Sequence, residues 1–110
     1  RGLAYASLNQ LASAIEAYDE AIRLQSHDSR TFANRGIAFF NQGAPDLAVE
    51  DFDEAIRLSP EFANAYAGRA LAYTALGKDH ESNRDVERSV SLGIDRSQLE
   101  TVIESARSNR

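Results

Sequence analysis

The chain has no cysteine, no methionine and no tryptophan, and only two prolines in 110 residues. Without cysteine, neither a disulfide framework nor thiolate chemistry is open to it. That lack is neutral between the cytosol and an oxidising compartment, and a soluble, cytoplasmic setting is the default reading. Lys78 is the sole lysine, and the 12 basic residues are outweighed by 17 acidic ones, for a net charge of −5 and a pI near 4.9. Nucleic-acid binding rests on lysine and arginine neutralising phosphates, and attraction to an anionic membrane surface has the same need, so both are disfavoured. No apolar run is long enough to insert into a bilayer. There is no glycine-rich phosphate loop and no serine elbow. His27, in a polar turn, and His80, at the start of a helix, have no second ligand at helical spacing, so no metal, cofactor or catalytic residue is expected. The chain opens Arg1-Gly2-Leu3 with no methionine, which reads as a processed product or an excised piece.

What is present is a repeat. Ala14 to Leu24 reads AIEAYDEAIRL and Ala48 to Leu58 reads AVEDFDEAIRL, identical at eight of eleven positions with an offset of 34 residues. Apolar residues in each copy fall mostly three or four apart, as on the buried face of a helix. A hydrophobic content of 43% can supply a core, and 26% charged residues is ordinary for a soluble surface. Extending the 34-residue register places Asn9, Gly43 and Gly77 at one position, where each would end a first helix with a residue tolerant of positive φ. The expected first (A) helices are 1–8, 30–42 and 63–76, and the second (B) helices 11–24, 45–58 and 79–92. Pro45 suits the first turn of its helix, where its missing N–H costs nothing. Gln25 to Asp28 reads as a turn. A last helix, 96–108, carries Leu99, Val102, Ile103 and Ala106 on one stripe, with Asp95 or Ser97 as its cap.

Phe32, Gly36, Phe39, Gly43, Ala48, Phe52, Ala55 and Pro60 stand at spacings that resemble a tetratricopeptide repeat. Gly2, Tyr5, Ala14, Tyr18 and Ala21 match in the first unit. Tyr66, Ala70, Tyr73 and Gly77 match in the third, which then departs at Ser82, Val86 and Ser89. The resemblance implies an all-α, right-handed α-α superhelix of about three helix-turn-helix units in a single domain. Its units are 1–28 (truncated), 29–62, 63–94 (degenerate) and a C-terminal capping helix at 95–110, with a polar outer face. Gly2, Gly36 and Ala70, opposite Ala14 and Ala48, let paired helices approach closely.

Arginine recurs at one repeat position, as Arg1, Arg35 and Arg69. A row of anion-binding groups is one reading; internal ion pairing with Asp51 or Asp85 is the favoured one, since an arginine fork suits structural pairing. Asp19, Glu20, Asp51, Asp53 and Glu54 are expected on a solvated helix face rather than in an acid–base pair.

The resemblance further implies a non-catalytic protein-interaction module, with the A helices lining a concave wall. The expected groove residues are Leu3, Ser7, Arg30, Asn34, Ile37, Phe40, Asn41, Asn64, Leu71 and Thr74, with Ala6, Ala33, Ala67 and Gly68 between them. Apolar members supply burial, and asparagine can both donate to and accept from a peptide backbone. The alternative for Ile37 and Phe40 is packing inside the stack or against the last helix. One subgroup of the family clamps the C-terminal carboxylate of chaperone tails; here only Asn34 matches that clamp, while Leu3, Asn64 and Gly68 lack the charge. The expected partner is a protein segment of unspecified identity, docked as a peptide or helix. The alternatives are a structural element forming a homodimer through the edge of the stack, and a regulatory appendage of a larger protein.

Overall fold

The computed structural model describes residues 2–24 and 28–109, with side chains from Gln10 onward. It contains α1 (Gly2–Arg23), α2 (Ser29–Gln42), α3 (Pro45–Leu58), α4 (Ala63–Ala75), α5 (Asp79–Ser91) and α6 (Arg96–Asn109), and no strand among the described residues. Arg1, the residues 25–27 of the expected turn, and the side chains of Leu3, Tyr5, Ala6 and Ser7 lie outside that description.

The turns follow from local chemistry. Asp28 caps α2 by accepting from the Arg30 N–H at 2.9 Å. Gly43 ends the same helix at φ 93°, a conformation that would crowd a Cβ, and Pro45 two residues later opens α3. Gly77 repeats the device at φ 78°. Asp95, rather than Ser97, caps α6, accepting from the Gln98 N–H at 3.1 Å.

The first unit departs from expectation. The break at Asn9 does not occur: α1 is one helix of 22 residues, not a pair. Asn9 lacks glycine's freedom at positive φ, and no proline follows it. Gln10, Leu11 and Ala12 are good helix formers, so continuing the helix keeps backbone hydrogen bonds that a turn would give up.

Consecutive helices pack in pairs from α1 through α5. Beyond these neighbours, α4 also touches both α2 and α6, whereas α3 does not reach α5. The row α2, α4, α6 is therefore drawn together and α3 and α5 splay apart, which curves the stack toward that row. Phe52, only 1% exposed, is the core's largest wedge, with Ala48 and Ala55 beside it on α3 and Phe32 and Ala65 facing it. Its burial contributes roughly 1.5–3 kcal/mol. Both neighbouring glycines give way to its ring: a Cβ on Gly36 would sit 3.1 Å from Phe52 Cζ, and one on Gly68 only 2.4 Å from it. Gly68, expected to face the groove, packs against α3 instead. Leu99 and Ile103 of α6 close a second cluster with Ala70 and Val86.

Arginine and aspartate tie the units together. Arg35 donates from Nε (2.8 Å) and Nη2 (2.7 Å) to Asp51, and from Nη1 (2.6 Å) to Asp19 on α1. Arg69 does the same one repeat later, to Asp85 (2.8 Å from each of two nitrogens) and to Asp53 (2.9 Å). Each arginine thus joins the helix after its own to the one before, 16 residues away in either direction. The internal pairing expected for the arginine row is what forms at Arg35 and Arg69; Arg1 lies outside the described residues. Asp51 is not on the solvated face, because Arg35 draws it in to 5% exposure. The guanidiniums also lie between ring pairs, Arg35 at 5.8 and 5.7 Å from Phe32 and Phe39, and Arg69 at 5.6 and 5.8 Å from Tyr66 and Tyr73. These pairings, and the Asp51 and Asp85 contacts first among them, push both guanidinium pKa values further above their ordinary range. At α6 the pattern changes: Ile103 stands one repeat after Arg69, and Glu87, one repeat after Asp53, is met instead by Arg96 at 2.6 and 2.7 Å.

Candidate protein-interaction groove

The inner row of helices leaves a trough. Helices α2 and α6 both rest on α4 but stand apart from each other. A hollow of about 510 Å³ lies among them, lined by Phe40, Leu71, Ala75, Val102 and Ala106, with Ser105 and Asn109 at its polar edge. Gly43 and Pro45 close it at the α2–α3 turn. That volume is in the range of small-molecule and peptide side-chain sites.

The expected residues divide as follows. Phe40 and Leu71 are half-buried and meet in this hollow. Phe40 also rests on the main core, and Leu71 on the cluster beneath α6, so each serves both packing and lining. Ile37 is 46% exposed, and Asn34, Asn41 and Asn64 are exposed, leaving their side chains accessible. Arg30 lies elsewhere, beside Ser59, Pro60 and Phe62 in a separate hollow, with a loose ion pair to Asp28 at 3.7 Å. Leu3 and Ser7 fall on side chains outside the described set.

Thr74 is a correction. It is fully buried; its hydroxyl donates to the Ala70 carbonyl at 3.0 Å and lies 2.7 Å from the Ser82 hydroxyl on α5. Ser82, where the second unit has Ala48, partners this hydroxyl: one sealed in the helix crossing needs a partner.

Sequence reasoning assigned the apolar stripe of α6 wholly to packing. Leu99 and Ile103 are buried, but Val102 is 47% exposed and faces the trough with Ala106.

Charge is unevenly spread over α2 to α5, while α6 carries Arg96, Glu100, Glu104 and Arg107. Helices α2 and α4 contain no acidic residue, whereas α3 carries Asp46, Glu50, Asp51, Asp53 and Glu54, and α5 carries Asp79, Glu81, Asp85 and Glu87. The arginines of the inner helices that reach the convex side, Arg35 and Arg69, are held there by carboxylates. No charged side chain lines the trough's hollow among the described residues.

An all-α stack of helix pairs, bent toward the row of α2, α4 and α6, defines a helical-repeat solenoid. The family model described as TPR repeat matches residues 2–43, and that described as Tetratricopeptide repeat matches residues 29–62. The chain belongs to the tetratricopeptide repeat family, whose domains are generally non-catalytic, and it is a protein-interaction module. Solved structures agree in fold. It is similar to the Arabidopsis OM64 TPR domain (TM-score 0.81, 23% identity, covering 100% of this chain and 91% of that one). It is also similar to the TPR2B domain of yeast Sti1, solved as a complex with pHsp70 (TM-score 0.80, 23% identity, 99% and 92% covered). A third is the Sgt2 TPR domain from Aspergillus fumigatus (TM-score 0.78, 20% identity, 98% and 73% covered). No curated protein matches the sequence. No helix of the described residues is long and apolar enough to cross a membrane.

Proposed function

We propose that the chain docks a segment of a partner protein in the trough along α2, α4 and α6, around Asn34, Ile37, Phe40, Asn64 and Leu71. The observation that carries this reading is the exposure of Ile37 (46%) and Val102 (47%) on the same inner row that presents Phe40 and Leu71 to one hollow. Large apolar side chains left in water on a concave face recover that cost when a partner covers them. The exposed asparagines offer both donor and acceptor to a peptide backbone.

The experiment is selection of a phage-displayed random 12-residue peptide library on the immobilised chain, followed by binding to a variant carrying Ile37→Glu and Asn64→Glu. Both positions are exposed, so the thermal melt should be unchanged while the selected peptides are lost. Peptides that bind the double variant as tightly as the parent would place docking elsewhere.

A further inference from the structure

We propose that the hollow between Phe40, Leu71 and Val102 is an anchor pocket for one bulky, uncharged side chain, leucine-like or aromatic, carried on a neutral stretch of the partner segment. This rests on the trough reading above and specifies what the trough accepts. The pocket has three walls from three helices, Phe40 of α2, Leu71 and Ala75 of α4, and Val102 and Ala106 of α6. Val102 contributes little to seating α6, since Leu99 and Ile103 do that, and Val102 stays 47% exposed.

The charges say what the occupant is. Helices α2 and α4 have no acid to meet a basic anchor, Arg35 and Arg69 are held by aspartates on the convex side, and neither Arg30 nor the charged residues of α6 are among those lining the pocket. The polar groups at the pocket's edge, Ser105 and Asn109, are neutral. A carboxylate seated against these apolar walls would give up water with no charged side chain among the lining residues to replace it. An apolar anchor, by contrast, matches the lining of Phe40, Leu71, Ala75, Val102 and Ala106. The three walls converge on one spot, the arrangement in which a single buried side chain dominates an interface.

Peptides selected as above are tested in two ways, with their affinities measured by fluorescence anisotropy. They should share one bulky apolar residue, and replacing it by alanine or aspartate should weaken binding at least tenfold. Val102→Glu and Ala106→Phe, the first charging the pocket and the second filling it, should each weaken binding at least tenfold, with the melting temperature of Val102→Glu unchanged. Peptides lost on Ile37→Glu/Asn64→Glu but indifferent to Val102→Glu would overturn the pocket and leave the trough standing. A selected consensus that requires an acidic or basic residue, or a free C-terminal carboxylate, would overturn it too. Light scattering that shows a dimer dispersed by Val102→Glu would make a second copy the occupant and overturn the proposal. No enrichment of peptides over a bare support would overturn pocket and trough together.

Discussion

Arg35 and Asp51 form a two-pronged pair across the second helical hairpin, with Nε and Nη2 donating to the two carboxylate oxygens at 2.8 and 2.7 Å. The carboxylate keeps only 7% of its side-chain surface in water, and the guanidinium 21%. A pair this enclosed is hard to break from one side, because the survivor is left desolvated. Arg35→Ala should therefore lower stability by about 3 kcal/mol, the low end of the range for buried pairs given the guanidinium's partial exposure. Arg35→Met with Asp51→Leu should recover most of that loss. Chemical denaturation followed by circular dichroism measures both. Equal losses in the single and double variants would show that the aromatic stacking, not the pair, holds the arginine.

The second arm of the same arginines behaves differently. Asp53 bonds Arg69 at 2.9 Å but is 53% exposed. Asp53→Ala should cost about 0–1 kcal/mol, and added salt should erase the difference from the parent. A loss as large as that of Arg35→Ala, persisting in high salt, would contradict the division into an enclosed arm and a screened one.

Gly68 and Gly36 touch the same ring from neighbouring units. Gly68→Ala would place a Cβ 2.4 Å from Phe52 Cζ, and Phe52 has no room to retreat at 1% exposure. Alanine gains up to about 1 kcal/mol in helix propensity, while overpacking costs about 1–3 kcal/mol. The net should be destabilising for Gly68→Ala and near zero for Gly36→Ala, whose Cβ would stand 3.1 Å away. Thermal melts of the two variants should keep that order.

Thr74 and Ser82 share a buried hydroxyl contact of 2.7 Å. Thr74→Val strands the serine hydroxyl and should cost about 1–3 kcal/mol. Thr74→Val with Ser82→Ala removes both polar groups and should cost less than the sum of the singles, with a coupling of about 0.5–3 kcal/mol in a double-mutant cycle. Additive effects would mean that each hydroxyl is satisfied without the other.

Glu87 is held below the usual carboxylate range by the hydrogen bond from Arg96. A carboxylate with a lowered folded-state pKa contributes stability that is present above its unfolded value and lost as pH falls through the folded one. Protection of the Leu99 and Ile103 amides from hydrogen exchange should therefore fall as the pH drops below the ordinary value of 4.5. In Glu87→Gln that pH dependence should be reduced. An unchanged pH profile in the variant would show that α6 is held by its apolar contacts alone.

Most of the architecture was legible because its cause is periodic. Helices α3, α4 and α5 lie within a residue of expectation, since Pro45, Gly77 and the alternation of apolar positions act locally. The pairing of Arg35 and Arg69 with Asp51 and Asp85 was legible for the same reason: 34-residue translation repeats both partners. The first helix was not, because the choice between turning and continuing at Asn9 depends on small differences in backbone strain that a repeat register cannot weigh. Thr74 was misplaced because it stands one repeat after the half-buried Phe40, yet lies on the fully buried face of α4 beside Ala70, where Ser82 of α5 partners its hydroxyl. The α6 wall was missed because periodicity identifies an apolar stripe without saying how much of it a neighbour hides. Of the expected groove residues, register placed Phe40 and Leu71 together on the inner row; that α6 supplies a facing wall was not legible.

The isoleucine at position 103 has a consequence for how such a protein could be rebuilt. A copied 34-residue unit spliced between 62 and 63 would find an aspartate behind it and an arginine ahead, so its own fork would latch on both sides. Past α6 the series stops, because Ile103 has no guanidinium to bridge the helix before it to any helix added after Asn109. The molecule can be lengthened from its middle, but its α6 end acts as punctuation.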